Sequence, residues 1–173
     1  MAQDNFALNG ANFCTSKATL AAGTTTTFTT TGATLYCIKG KAYTTSAASN
    51  SATPTTDAVT GTTFVPITAS KGSVFVFCYD GTSTTAATAI KVVQGSVESL
   101  SNEADGANAR FLTKAPSFPV IPDTLTPFGY VVTKVGASGS TWTFGSSNLA
   151  GPPSNVLHTF QDLMVMPARP QVS

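Results

Sequence analysis

A single histidine limits the acid–base and metal chemistry that this sequence can support. His158 stands four residues before Asp162, a spacing that brings two side chains together on a helix but not on a strand. The surrounding residues favour a strand or loop, so we expect His158 to be a surface or capping residue. With one histidine and three widely spaced cysteines, we expect no His/Cys metal cluster and no metal site.

The eight carboxylates are scattered along the chain. Glu103 and Asp105 are close in sequence and could contact a cation. A glycosidase needs two carboxyl groups close together in a cleft, and the spacing here neither shows nor excludes such a pair. Residues 136–140 (GASGS) resemble a nucleophile elbow but lack its final glycine and a following helix, so they are interpreted as a turn. We therefore predict no catalytic or cofactor-binding residues.

Five aromatic side chains could stack against sugar rings if they were exposed together. The alternative, which the composition favours, is that they belong to the core or to an interface. These residues are Trp142, Tyr36, Tyr43, Tyr79 and Tyr130.

Three cysteines argue against a disulfide framework because their number is odd and their spacing is long. Cys14, Cys37 and Cys78 are expected to be small buried apolar residues. A bridge between Cys37 and Cys78 on neighbouring strands stays open if the protein matures outside the cell.

The composition is poor in charge and rich in hydroxyl groups. The chain has 173 residues, a formal charge of +1 and 10% charged residues, with 30 threonines and 17 serines. No basic surplus is present to neutralise phosphates, so nucleic-acid binding is not expected. The longest strongly apolar run, 74–79, is too short to span a membrane. Residues 1–5 show no basic start of a signal peptide, so we expect synthesis in a cytoplasm.

Threonine, valine and phenylalanine favour strands, so the sequence predicts an all-β protein. We expect an antiparallel β-sandwich or a jelly-roll-like barrel, divided into an N-terminal arm (1–22), one β domain (23–163) and a C-terminal tail (164–173). Gly95 is predicted to form a bulge, and the strands at 130–135 and 140–145 a hairpin. The predicted strands are 24–31, 33–43, 63–68, 74–79, 89–100, 130–135, 140–145 and 159–165.

An irregular proline-rich connector is predicted at residues 116–128, crossing one end of the sheet in extended form. The arm and this connector carry apolar side chains outside the expected core, and we expect them to contact other subunits. A surface of uncharged hydroxyl groups can also be desolvated at less cost than one rich in lysine and glutamate. The predicted interface residues are Phe6, Leu8, Phe13, Phe118, Val120, Ile121 and Phe128.

Several segments of the chain look like those of small structural proteins from tailed-bacteriophage virions. They are Met1-Ala2, 36–43 (YCIKGKAY), 53–57 (TPTTD), 72–77 (GSVFVF), 91–98 (KVVQGSVE), 124–130 (TLTPFGY) and 167–170 (PARP). The chain resembles capsid decoration (cement) proteins. That resemblance implies a β-sandwich or jelly roll that sits as a homotrimer on the shell, with the major capsid protein and copies of itself as partners and no cofactor. It implies a virion location and transfers no site residues.

Two other functions stay open at this level. A phage tail or fibre module, or another carbohydrate-binding β-sandwich, would present an exposed aromatic cluster that includes Trp142 and would bind glycan. A glycan hydrolase would bring two of the eight carboxylates together in a cleft.

Overall fold

The computed structural model describes residues 12–82, 89–167 and 170. Ten strands form within these residues, and every pairing between them is antiparallel. The predicted all-β class with an antiparallel, sandwich-like arrangement is confirmed. The strands are β1 (Phe13–Cys14), β2 (Ala21–Ala22), β3 (Thr27–Thr29), β4 (Thr34–Ile38), β5 (Lys41–Thr45), β6 (Ser51–Ala52), β7 (Lys71–Tyr79), β8 (Ile90–Ser99), β9 (Thr126–Val135) and β10 (Val156–Asp162).

A four-stranded sheet in the order β10-β9-β7-β8 forms the centre of the molecule. All of β9, and all of β7 except its first residue, are buried. Strands covered on both faces need apolar residues at successive positions, and the run of Val74 to Tyr79 supplies them. The prediction that this run lies at the centre of the core is confirmed.

The first face of the central sheet is packed with aromatic rings. Alternate residues of β7 point to this face, and each meets a ring from another segment. Phe75 lies 5.6 Å from Trp142, and Tyr79 lies 4.6 Å from Tyr36, measured between ring centroids. These contacts join distant parts of the chain into one cluster, which the two small sheets help to cover.

The second face carries a separate, more aliphatic cluster built around Val74, Val76 and Val132. Within the described part of the chain, no second sheet covers this face. Instead, side chains from residues 111–121 and from the segment after β10 pack against it. The central sheet is therefore sandwiched between small sheets on one side and irregular chain on the other.

The two small sheets have the orders β1-β4-β5 and β2-β3-β6. Both include strands from the range predicted as an N-terminal arm. Ala18 and Leu20 are buried, and Cys14 pairs with Tyr36 in the sheet. The described part of that range, 12–22, is therefore integrated into the domain, and the expectation that it stands apart as an unpacked arm is wrong for those residues.

The segment 33–43 forms a hairpin rather than the single strand that its apolar content predicts. Lys39 and Gly40 both adopt positive φ, of 50° and 76°, and they separate the paired residues Ile38 and Lys41. Two-residue turns of this kind match the twist of antiparallel strands. The apolar residues of this segment also predict a strand buried on both faces, and that prediction is wrong because Leu35 is 54% exposed.

Gly95 lies at a bulge in β8, as predicted. Ser73 pairs with Val97 and Phe75 with Gln94, so β8 holds one residue more than β7 between these pairs. A Cβ atom on Gly95 would lie 2.3 Å from the carbonyl oxygen of Ser117. The absence of a side chain is what lets the chain on the second face approach the sheet here.

The hairpin predicted between 130–135 and 140–145 is not formed. Strand β9 pairs with β7 and β10, and the segment containing Trp142 crosses to the first face, where Trp142 pairs with Ile67. The turn at 136–139 is correct, because Gly139 N–H donates to the Gly136 carbonyl (2.9 Å). In this arrangement the Trp142 side chain is 0% exposed and packs against Phe75 of the central sheet.

Candidate partner-binding surface

The proline-rich connector was predicted at 116–128, but residues 126–128 belong to β9. The irregular segment is 111–125, to which the name connector applies from here on, and it packs against the second face of the central sheet. The ring of Phe118 packs edge-on against Tyr130 at 5.1 Å between centroids. The Ser117 N–H donates to Ser96 Oγ (2.8 Å), and the Ser96 N–H donates back to the Ser117 carbonyl (3.2 Å). These bonds hold a segment without strand structure against the bulge of β8.

Two of the three salt bridges among the described residues also tie the connector down. Lys114 Nζ lies 3.2 Å from Glu98 on β8, and Asp123 lies 2.9 Å from Lys39 in the β4–β5 turn. In each pair at least one of the two side chains is solvent-exposed, so each salt bridge contributes less than about 1 kcal/mol to stability. Their effect is to restrict the connector's position.

Large apolar side chains project from the segments that cover the second face. Val120 is 88% exposed, Val165 68%, Leu112 65% and Met164 43%. These four residues, which we call the connector surface, are the majority of the seven large apolar side chains that are exposed among the described residues. Exposed apolar groups concentrated in particular segments mark interaction sites more often than single scattered ones do.

A groove of about 830 Å³ adjoins part of the connector surface. Met164 and Val165 line it together with Ala115 of the connector and Tyr130 of β9. Asp162 also lines it, and its Oδ1 accepts a hydrogen bond from the Leu20 N–H (2.8 Å). The groove therefore offers a mainly apolar concavity beside exposed apolar side chains.

The predicted interface residues are distributed over several environments. Val120 is exposed, whereas Phe118 and Ile121 are half-buried against the second cluster. Phe13 is half-buried in β1, where it pairs with Cys37. Phe128 is 0% exposed and packs 4.1 Å from Tyr79, so its prediction as an interface residue is wrong. Phe6 and Leu8 lie outside the described residues.

The sequence reasoning missed Leu112, Met164 and Val165. Their chain neighbours Phe111, Leu163 and Met166 are buried or half-buried, and only the packing of the folded chain determines which residue of each pair faces out. The sequence carries one weak signal, which is that Met164 and Val165 are apolar residues at the end of the last predicted strand, 159–165.

The aromatic platform expected of a sugar-binding surface is not present. Trp142, Tyr79, Tyr36 and Tyr130 are each at most 1% exposed. Tyr43 alone of the five is partly exposed, and it stacks on Tyr36 at 5.5 Å. The alternative of a core role is confirmed for the other four.

His158 is half-buried rather than a surface residue. Its ring lies 4.7 Å from the Trp142 ring, and its Nδ1 is 3.0 Å from the Thr133 hydroxyl. The Nε2 atom is buried without a hydrogen-bond partner among the described residues. Burial lowers the pKa of His158 to about 4, although the backbone of Asn148 opposes the shift. The imidazole is therefore neutral at neutral pH.

No grouping of three or more His, Cys, Asp or Glu side chains that could hold a metal ion occurs within 12–82, 89–167 and 170. The groove at the connector surface contains one carboxylate, Asp162, and a smaller cavity beside β8 contains one, Asp57. Over the same part of the chain, no helix is long and apolar enough to cross a membrane.

Comparison of the chain with protein-family models, with curated proteins and with solved structures gives no match in any of the three. Function cannot be transferred from a relative on this basis. The connector surface holds four of the seven large apolar side chains that are exposed among the described residues.

Proposed function

We propose that this chain is a non-enzymatic structural protein of a tailed-bacteriophage virion, which binds the capsid shell as a decoration (cement) protein and forms homotrimers. The observation that carries the proposal is the connector surface, with Val120 at 88% exposure on a segment anchored to the core. The sequence resemblance to decoration proteins supplies the identity of the partner.

The low charge of the chain supports adhesion as its activity. Only 10% of the residues are charged, and burying an unpaired charge costs far more than burying a hydroxyl or a methyl group. Contact with a shell would therefore cost little desolvation. Charge depletion of this kind is characteristic of the centres of protein interfaces.

The anchoring of the connector supports binding without large rearrangement. Phe118 and the Ser117–Ser96 hydrogen bonds fix the backbone just before the exposed Val120. The packing of Ile121 and the Asp123–Lys39 salt bridge hold the chain just after it. A surface that is already ordered loses less conformational entropy when it binds. Many copies would bind one shell, and within each trimer three linked contacts raise the effective affinity above that of one contact.

The test is binding of Val120→Asp to capsids of the phage that encodes the chain, purified without the protein. We expect this variant to bind at least about tenfold more weakly than the wild type, because the new carboxylate would be buried against the shell. Co-sedimentation with the capsids measures the bound fraction. The matched control is Val59→Asp, since Val59 is also exposed (51%) but lies in a loop beside β8.

Two results would contradict the proposal. One is wild-type occupancy of Val120→Asp on capsids, and the other is a wild-type chain that does not bind capsids at all. Sedimentation equilibrium of the free protein tests the homotrimer separately. A monomer at micromolar concentration would contradict the proposed homotrimer but not the proposed capsid binding.

A further inference from the structure

A second cavity, of about 650 Å³, lies between β9 and the chain that follows β8. Three cationic side chains line it, namely Arg110, Lys114 and Lys134. The rest of its lining is mostly apolar, from Ala107, Ala109, Phe111, Ala115 and Leu157. Its volume is that of an ordinary small-ligand site.

Lys134 is unusual because it is a lysine within a fully buried strand. It is 6% exposed, and it follows Tyr130 and Val132 on the second face, two residues apart each time. Its ammonium donates to the Ala109 carbonyl (2.9 Å). An ammonium has three donor hydrogens, and among the described residues no carboxylate lies within salt-bridge distance of this one.

The charges around Lys134 leave a positive excess. Arg110 is exposed at the cavity and has no salt-bridge partner in the described part of the chain. Lys114 is paired with Glu98. Burial lowers the pKa of Lys134, and the positive charge of Arg110 lowers it further. The negative charge of Asp105 opposes these two effects without cancelling them. A buried cation in this environment is stabilised by a nearby anion.

We propose that this cavity binds a carboxylate carried on an apolar body, with Lys134 and Arg110 holding the carboxylate and Phe111 and Leu157 contacting the apolar part. One carboxylate matches the two cations that have no salt-bridge partner, because Asp105 already offsets part of their charge. The apolar lining suits an acyl chain or an apolar amino-acid side chain. This site is independent of the capsid-binding proposal, since it does not include the connector surface.

The direct probe is N-acetyl-leucine, which carries a carboxylate on an apolar side chain, titrated into the whole protein and followed by amide chemical shifts. We expect saturable shifts at residues 107–115 with a Kd on the order of 1 mM. N-acetyl-leucinamide has the same shape without the charge, and it should bind at least about tenfold more weakly. Hexanoate distinguishes the two possible sources of the carboxylate, an aliphatic acid and the C-terminus of a peptide. Tighter binding of hexanoate assigns an aliphatic acid, and tighter binding of N-acetyl-leucine assigns a peptide terminus.

Two variants locate the site. Arg110→Gln changes an exposed side chain, so the fold is retained, and Lys134→Met removes the buried ammonium. Each should weaken binding of N-acetyl-leucine at least about tenfold. Lys17→Gln is the control, because Lys17 is an exposed cation on the other groove, and it should bind as the wild type does. Equal binding of the acid and the amide, wild-type binding by Arg110→Gln, or absence of saturable binding would each overturn the proposal.

Discussion

His158 makes the stability of this protein sensitive to acid. Its ring is half-buried against Trp142 and its Nε2 has no partner among the described residues, so a proton on the ring would be poorly solvated. Burial lowers its pKa in the folded state to about 4, whereas an unfolded histidine titrates near 6.5. The unfolded state therefore takes up the proton first as pH falls. The stability that neutral His158 contributes is complete above about pH 6.5 and is lost between that pH and about pH 4.

We expect the His158→Asn variant to lose less stability on acidification than the wild type. Asparagine can still bond to the Thr133 hydroxyl but does not titrate. Between pH 7 and about pH 4.5, the wild type should lose about 2 kcal/mol more of its unfolding free energy than the variant does. Urea unfolding at both pH values measures the difference. An equal loss in the two proteins would show that His158 is not desolvated in the folded state.

Lys134 and His158 differ in how well the sequence alone predicts their environments. Lys134 is the one charged residue of strand TPFGYVVTKV, and its alternation with Tyr130 and Val132 places it on an inward face. That signal was available in the sequence. The environment of His158 could not be predicted in this way. It depends on the contact with the Trp142 ring, and no local sequence pattern indicates that contact.

At the scale of elements, Asp57 attaches a long loop to the edge of the central sheet. One carboxylate oxygen accepts hydrogen bonds from the N–H groups of Val59 (2.8 Å) and Thr60 (2.9 Å). The other accepts from the N–H of Gln94 on β8 (2.7 Å). The side chain is buried, so water cannot replace these bonds when the carboxylate is removed.

The Asp57→Ala variant should lose about 3 kcal/mol of unfolding free energy, because three backbone donors lose a charged acceptor. Asp123→Ala is the matched control. Its carboxylate is 76% exposed and pairs only with Lys39 among the described residues, so its loss should cost less than about 1 kcal/mol. Chemical unfolding of both variants gives the comparison. Similar losses for Asp57→Ala and Asp123→Ala would show that the loop is not held through Asp57.

Local sequence pattern predicted features that depend on the residue types of one short segment. The apolar run of β7 and the bulge at Gly95 were both identified from the sequence. The β4–β5 hairpin was missed because Lys39-Gly40 lies inside an apolar segment without the usual Asn-Gly turn signal. The sequence predicts a connector and includes Val120 among its contact residues, and Val120 is exposed in the structure. The exposure of Leu112 could not be predicted, because it depends on how the chain crosses the sheet.

At the scale of the whole molecule, the fold does not depend on disulfide bonds. Cys14, Cys37 and Cys78 are all free thiols, so the bridge between Cys37 and Cys78 that the sequence left open is not formed. Burial raises the pKa of Cys14 to about 12, and it raises that of Cys78 further. A chain of this length can bury roughly 70% of its unfolded surface, which is enough for stability without cross-links.

Reductant should therefore leave the unfolding free energy unchanged, and the native protein should expose at most one thiol to alkylation. Cys37 is half-buried, whereas Cys14 and Cys78 are buried, and burial raises the pKa of both so that the reactive thiolate is still rarer than in an exposed cysteine. Iodoacetamide added to the folded protein should give a single slow adduct at Cys37, identified by peptide mass spectrometry. The control is the same reaction in concentrated guanidinium chloride, where all three thiols should react. Rapid modification of Cys14 in the folded state, or a loss of stability on reduction, would mean that the two layers over the central sheet open or are cross-linked in solution.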